Sequence, residues 1–339
     1  MTDLSIVVPL YNEEENVQPL CRRLYETLSR LPHSWEIILV DDGSTDRTWS
    51  VATSMLAEIP SLRLIRLRRN FGQTAALSAG FHHARGAIIV TMDGDLQNDP
   101  EDIPLLLERM DPDTDVVSGW RKDRKDPFLT RRLPSIIANF LISRITGVHL
   151  HDYGCTLKAY RRDVIQHVHL YGEMHRFIPA LASWVGGRVR EVVVRHHPRR
   201  AGKSKYGISR TLRVLLDLIT VKFLLHYSRG PMQMFGKIGA IFALPGLSLV
   251  AFMVLTHLSF RLFGTSFGAD LIKRPFWVIT AFMLIAFGVQ FVSMGLLAEV
   301  QIRTYHESQS RPTYFVREIL ESDDRRRNSR SGPMPEKTS

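Results

Sequence analysis

Asp93, Asp95 and Gln97 stand at alternate positions directly after a short apolar run, residues 88–92 (IIVTM). The run reads as a buried strand that delivers an Asp-x-Asp pair, with a third oxygen-bearing side chain two residues on. Hard oxygen ligands suit Mg²⁺ or Mn²⁺ shared with a substrate's phosphates, if the three side chains share one side of an extended segment. Alone, an Asp-x-Asp pair also serves turns and helix caps. Here it has company. Residues 5–10 (SIVVPL) lead into Tyr11, Asn12, Glu13, Glu14 and Glu15, and residues 36–40 (EIILV) lead into Asp41, Asp42, Gly43, Ser44, Thr45 and Asp46.

These clusters need elements to hold them together. A helical pattern follows each apolar run, at about residues 16–29, 47–58 and 104–110. Strand–helix alternation with near-continuous Val and Ile strands predicts an α/β fold, a parallel sheet covered on both faces. Ligands of such sheets bind beyond the carboxyl ends of the strands, the edge where all three acidic clusters fall. Asp, Ser and Thr at these turns are also ordinary helix caps, and residues 44–46 are expected to cap the second helix. Capping does not require acidic clusters on three successive strands.

VVPLYNEE (residues 7–14), VDDGSTD (40–46) and DGDLQNDPE (93–101) resemble the nucleotide-sugar half of an inverting glycosyltransferase of the A-type, Rossmann-like fold. The closer resemblance is to the polyprenyl-phosphate glycosyltransferases, which include dolichyl-phosphate mannose synthase and the bacterial undecaprenyl-phosphate sugar transferases. RNFGQTAALSAGF (69–81), SGWRKDR (118–124), DYGCTLKAYRR (152–162) and GKSKYG (202–207) extend it over about residues 4–310. Gly94 departs from the family, which often has Ala between the two aspartates.

Hydrophobic residues make up 45% of the 339-residue chain but are unevenly spread. Residues 238–260 and 275–298 contain no Asp, Glu, Lys or Arg. As helices these reach about 35 Å, enough to cross a bilayer core of roughly 30 Å, and Pro245 with Gly246 is a candidate kink in the first. The expected organisation is a catalytic domain over 1–205 and an amphipathic juxtamembrane segment over 206–230. Two transmembrane helices (about 236–260 and 275–298) follow within 231–300, then a tail over 301–339, largely disordered after 321. No N-terminal signal pattern is visible, and the loop between the spans carries only Arg261, Lys273 and Arg274. The charge bias therefore places the catalytic domain and both termini at the cytoplasmic face of the inner membrane.

The formal charge of +10 is concentrated: residues 193–216 hold Arg195, Arg199, Arg200, Lys203, Lys205, Arg210 and Arg213 with no acidic residue. Leu212, Leu215, Leu216, Ile219 and Phe223 then mark one face of an interfacial helix, so the lipid bilayer rather than nucleic acid is the expected partner. Cys21 and Cys155 lack metal-ligand spacing and fit a reducing compartment. His82, His83, His149, His151, His196 and His197 also lack zinc-like spacing and read as structural or solvated. Gly236, Gly239, Gly288 and Gly295 on the spans permit helix association, including a homo-oligomer.

The resemblance implies transfer of one sugar, with inversion, from a nucleotide sugar (UDP preferred over GDP) to polyprenyl phosphate, with undecaprenyl phosphate the expected acceptor, for cell-envelope glycan or lipid modification. Asp95 and Gln97 are expected to ligate Mg²⁺ or Mn²⁺, with Asp93 contacting metal or ribose. Asp42 and Glu13 belong to the nucleoside end of the donor pocket, with Pro9 and Tyr11 shaping its wall. Arg121 and Arg131, with Ser135 one helical turn beyond, are expected at the acceptor phosphate; Arg132 is the alternative to Arg131. Lys203, Ser204 and Lys205 would close over the diphosphate, and Asp152 would orient sugar or acceptor. Two rivals remain at this stage. A processive polysaccharide synthase needs a Gln-x-x-Arg-Trp motif, which this chain lacks. A catalytically silent membrane scaffold has no use for the intact Asp93, Asp95, Gln97, Arg121 and Arg131.

Overall fold

A computed structural model of the protein describes residues 2–122, 133–168, 170, 174–198, 231–264, 274–308 and 314–322. The chain opens with β1 (Leu4–Leu10), α1 (Val17–Leu28), β2 (Trp35–Asp41), α2 (Thr48–Met55), β3 (Leu62–Leu67), α3 (Gln73–His83) and β4 (Ile88–Thr91). It continues with α4 (Ile103–Glu108), β5 (Val116–Trp120), α5 (Leu133–Thr146), β6 (Lys158–Arg161), α6 (Arg162–Ile165), α7 (Ile178–Trp184) and β7 (Val189–Val193). Two long helices follow, α8 (Pro231–Phe263) and α9 (Pro275–Ser308), then β8 (Val316–Glu321).

The eight strands form one sheet in the order β7-β5-β6-β4-β1-β2-β3-β8. Its centre, β4-β1-β2-β3, is parallel, as the Val and Ile runs predict. β6 runs antiparallel to both β4 and β5, and β8 runs antiparallel to β3. The sheet is therefore mixed rather than parallel throughout, because apolar periodicity within a strand carries no information about its direction. Val17, Leu20, Cys21, Leu24 and Leu28 recur at helical spacing on α1 and are buried against Ile6, Val8, Ile37 and Leu39 of the sheet. On the opposite face α3 presses so close to β1 that a Cβ on Gly80 would collide with the Val7 side chain. The amino end of α3 meets the loops beyond β2 and β4, where the Phe71 and Gly72 amides bond Asp42 and Gln73 bonds Asp93.

Residues 1–219 together with 312–339 form one compact unit, and residues 220–311 form another. In the second, α8 and α9 pack as a hairpin, and its segments Met232–Phe263 and Pro275–Ala298 are long and apolar enough to cross a membrane. α8 runs on through Pro245 as continuous helix. One segment departs from the sequence reading: in the region read as a tail, α9 continues to Ser308 and Val316–Glu321 joins the sheet as its last strand. Three charged residues among six (Arg317, Glu318, Glu321) hide a strand that only pairing with β3 reveals. The interfacial helix read at 212–223 and the disorder read after 321 fall outside the described residues.

Candidate active site

Register brings the first and third acidic clusters together. Thr91, the last residue of β4, pairs with Val7 of β1, so the chain beyond it runs alongside Pro9 and Leu10. A Cβ on Gly94 would lie 2.5 Å from Leu10 Cδ2 and 3.3 Å from the Pro9 carbonyl. Residues 93–97 are not extended, as the alternate spacing predicted. They turn, with Leu96 at φ 60° and the Gln97 amide donating to Asp95 Oδ1 at 3.2 Å. The turn is the tighter way to direct two carboxylates off one strand end. Asp95 is buried, while Asp93 and Gln97 are half-buried.

Asp93 accepts from Gln73 Nε2 at 2.8 Å, and its amide donates to Asn98 Oδ1 at 3.3 Å. Thr156 donates to the same Asn98 oxygen at 3.1 Å. Burial first, and the Asp95 charge second, push the Asp93 carboxyl above the usual range; Thr156, Arg121 and Gln73 oppose that push. Two carboxylates that repel each other at a strand end form a donor set that a divalent cation would relieve. Among the described residues no three His, Cys, Asp or Glu side chains are placed to hold a metal alone. A cation there would draw its remaining ligands from water and from a bound phosphate, the usual habit of Mg²⁺.

Asp42 sits at the second strand end. Its Oδ1 accepts from the Phe71 amide at 2.7 Å and its Oδ2 from the Gly72 amide at 2.9 Å. Burial raises its pKa to about 6, with the two amides pulling the other way. The run 71–73 thus grips Asp42 with two backbone donors and Asp93 with the Gln73 side chain. The first cluster is tied in as well: the Asn12 amide donates to Ser44 Oγ at 3.0 Å and the Glu13 amide to Thr48 Oγ1 at 2.8 Å. Glu13 Oε2 accepts from Asn16 Nδ2 at 2.7 Å, and Tyr11 is half-buried beside it. Asp46 accepts from the Thr48 amide, the first of α2, at 2.9 Å, although Arg47 holds the N-cap position; Ser44 serves the neighbouring loop.

Arg121 and Asp152 form a bidentate pair, Nε to Oδ2 at 2.7 Å and Nη2 to Oδ1 at 3.0 Å. Burial works against the Arg121 charge, but Asp152 outweighs it and its pKa rises. Asp152 is itself aligned by Glu191, which accepts its amide at 3.0 Å. Lys158 is fully buried nearby, donating to the Tyr153 carbonyl at 3.1 Å, and burial lowers its pKa to about 8. Ser135 lies half-buried at the start of α5. Arg131, Arg132, Lys203, Ser204 and Lys205 lie outside the described residues.

The histidines behave as structural groups: His151 stacks on Trp120 at 4.1 Å, His197 pairs with Asp99 at 2.8 Å, and His82 meets Tyr314 at 3.1 Å. Both cysteines are buried, and burial raises Cys155 to about 11. Sequence reasoning passed over Gln73, Asn98, Thr156 and Lys158. All four lie inside motifs quoted for the resemblance, but only the fold tells a side chain facing the carboxylates from one facing the core.

Comparison with known proteins gives the family and the fold. The profile of Glycosyl transferase family 2 matches residues 5–168. The dodecaprenyl-phosphate galacturonate synthase of Rhizobium johnstonii is 48% identical, over 94% of this chain and 93% of its own. The undecaprenyl-phosphate 4-deoxy-4-formamido-L-arabinose transferase of Salmonella choleraesuis is 38% identical, with coverage of 94% and 93%. Among solved structures, mannosyl-3-phosphoglycerate synthase of Rubrobacter xylanophilus superposes with TM-score 0.54 at 17% identity, over 66% of this chain and 74% of that one. Glucosyl-3-phosphoglycerate synthase of Mycobacterium tuberculosis, solved with Mn²⁺ and UDP-glucose, gives 0.51 at 15% identity, over 65% and 79%. The last two share the fold; the first two share sequence nearly end to end, and with them this chain belongs to the polyprenyl-phosphate glycosyltransferases of family 2.

Proposed function

We propose that the protein moves one sugar, with inversion, from a UDP-sugar to undecaprenyl phosphate at the cytoplasmic face of the inner membrane. The observation that carries the reading is the run 71–73, which binds Asp42 with two amides and Asp93 with Gln73. That link supports one donor cleft, with its nucleoside end at Asp42 and its diphosphate end at Asp93. Asp95, Gln97 and Asp93 would hold Mg²⁺ or Mn²⁺, which supplies Lewis acidity to the departing diphosphate. An acceptor phosphate is already anionic near neutral pH, so its oxygen attacks the anomeric carbon without a strong general base. What the site must do is gather two anions. Arg121, held charged and oriented by Asp152, suits that task, with Arg131, Ser135 and the 203–205 loop as further phosphate contacts.

The sheet also supports the sidedness. β8 belongs to the same sheet as β1 to β7, so the chain between leaves and returns on one side of a bilayer. Two crossings satisfy that parity, and the weakly basic connector between them, set against basic flanks, favours the cytoplasmic side.

The test is lipid transfer. Membranes carrying the protein receive undecaprenyl phosphate, Mn²⁺ and radiolabelled sugar nucleotides, beginning with galacturonate and 4-deoxy-4-formamido-arabinose donors, beside an Asp95→Ala control. Label entering the lipid phase from one donor, and lost in the control, is the expected result. No lipid label from any donor, with folded protein, refutes the reading.

A further inference from the structure

Residues 314–322 do more than finish the sheet. β8 pairs with β3 from Arg63↔Glu321 to Leu67↔Val316, and the Arg68 amide extends the ladder to the Phe315 carbonyl at 2.9 Å. Ion pairs fasten both halves of the strand. Glu321 binds Arg63 Nε at 2.9 Å and Arg85 Nη2 at 2.8 Å, and Arg63 reaches on to the buried Glu36 at 3.0 Å. Glu318 meets Arg66 at 3.5 Å, and Arg66 meets Asp41, the neighbour of Asp42, at the same distance. Ser322 donates to the Leu56 carbonyl at 3.0 Å, and Tyr314 meets His82 at the far end of α3.

The strand therefore begins beside the loop that binds Asp42. Phe315 packs against Phe71 with ring centroids 6.1 Å apart, and Arg69 lies 4.4 Å over the same Phe71 ring. Phe71 is the residue whose amide, with that of Gly72, grips Asp42. Phe315 is 58% exposed, so filling the core does not account for its place.

We infer that the segment following the second membrane span is a strap on the donor cleft, with Phe315 a positioning residue that holds loop 68–72 and, through it, Asp42. The strap rests on the reading of Asp42 as a nucleoside-end residue only for its effect on binding, not for its effect on the loop. The physical logic is lever-like. A loop that offers two backbone donors to one carboxylate must keep both amides aligned, and an aromatic contact of 0.5–1.5 kcal/mol is of the size that sets such alignment. Converted at 1.4 kcal/mol per decade, that is a two- to tenfold effect.

The experiment uses the full-length protein in detergent, with UDP and Mn²⁺ as probe. Phe315→Ala is expected to speed amide hydrogen exchange at Phe71 and Gly72 and to weaken UDP binding about two- to tenfold. Donor KM should rise by the same factor, with kcat and the acceptor KM unchanged. Phe315→Tyr should restore both exchange protection and affinity. Ile319→Ala, on the same strand but away from the loop, should leave UDP affinity at the wild-type value. Unchanged exchange at 71 and 72 in Phe315→Ala overturns the strap. Equal weakening of UDP binding by Ile319→Ala overturns it too, since the strand would then act only through sheet stability. Faster exchange with unchanged UDP affinity keeps the strap and instead refutes the donor role of Asp42.

Discussion

Val8 and Leu39 at the centre of the sheet are at most 1% exposed, whereas Ile241, Leu244 and Phe282 on the helical hairpin stand 62–69% exposed. All five are large and apolar, and the two regions treat them in opposite ways. The sheet keeps its aliphatic side chains from water by stacking helices on both faces, and polar groups gather at one edge, cross-linked loop to loop. The hairpin turns its large side chains outward and joins its helices through small ones. A Cβ on Gly288 would lie 2.6 Å from the Ala243 Cβ, and one on Gly239 would lie 2.9 Å from the Gly288 carbonyl. Water drives the first arrangement. The second suits lipid, which gives no hydrophobic reason for helices to meet, so backbone approach must hold them. Chemistry and anchoring should therefore fail separately.

The sharpest break is at the carboxylates. Asp95→Ala should lower transfer by at least about a hundredfold while the hairpin still inserts, measured as lipid-linked label per mole of membrane-extracted protein. Gly288→Leu should do the reverse. It forces the helices apart at the Ala243 contact, so thermal stability in detergent falls by several degrees, on the order of 2 kcal/mol, while UDP binding persists. Were both variants to lose binding and stability together, the two regions would be one cooperative unit.

Asp152→Asn probes the proposed acceptor end. It leaves Arg121 buried without its counter-charge, and transfer should drop roughly ten- to a hundredfold through a higher acceptor KM, with donor binding intact. Acid tests the donor end more gently. Burial pushes the Asp42 carboxyl up to about 6, above the ordinary carboxylate range, so it takes up a proton in the folded chain before the unfolded chain does. Its contribution to stability therefore rises as pH falls through about 6, by linkage. Donor affinity should move the other way, since a protonated carboxyl can no longer accept from both the Phe71 and Gly72 amides. A several-fold loss of UDP affinity below pH 6, flattened in Asp42→Asn, is the expected profile. Gly94→Ala is the mildest change. The added methyl meets the end of the buried Leu10 side chain, which must shift, and the Pro9 carbonyl at 3.3 Å, so a cost of about 1 kcal/mol in unfolding and near-normal transfer are expected.

Much of this was legible in the chain. Apolar runs ending in acidic clusters located β1, β2 and β4 and the loops after them, because burial on both faces of a sheet writes itself as continuous Val and Ile. Uncharged stretches marked the two helices of the hairpin, which are long and apolar enough to cross a membrane. Turn chemistry was legible only in part: Asp46 takes the first amide of α2 while Arg47 holds the N-cap position, and Asp95 turns its segment where alternation suggested extension.

Composition and order of residues thus determined the class of fold, the family and which carboxylates stand at the strand ends, since each depends on local pattern. Tertiary structure alone decided the rest. Strand direction in β6, the grip of residues 71–73 on Asp42 and Asp93, the Arg121–Asp152 pair and the return of β8 beside β3 all join residues far apart in sequence. Such contacts are chosen by packing and charge complementarity between whole elements, and no local periodicity encodes them.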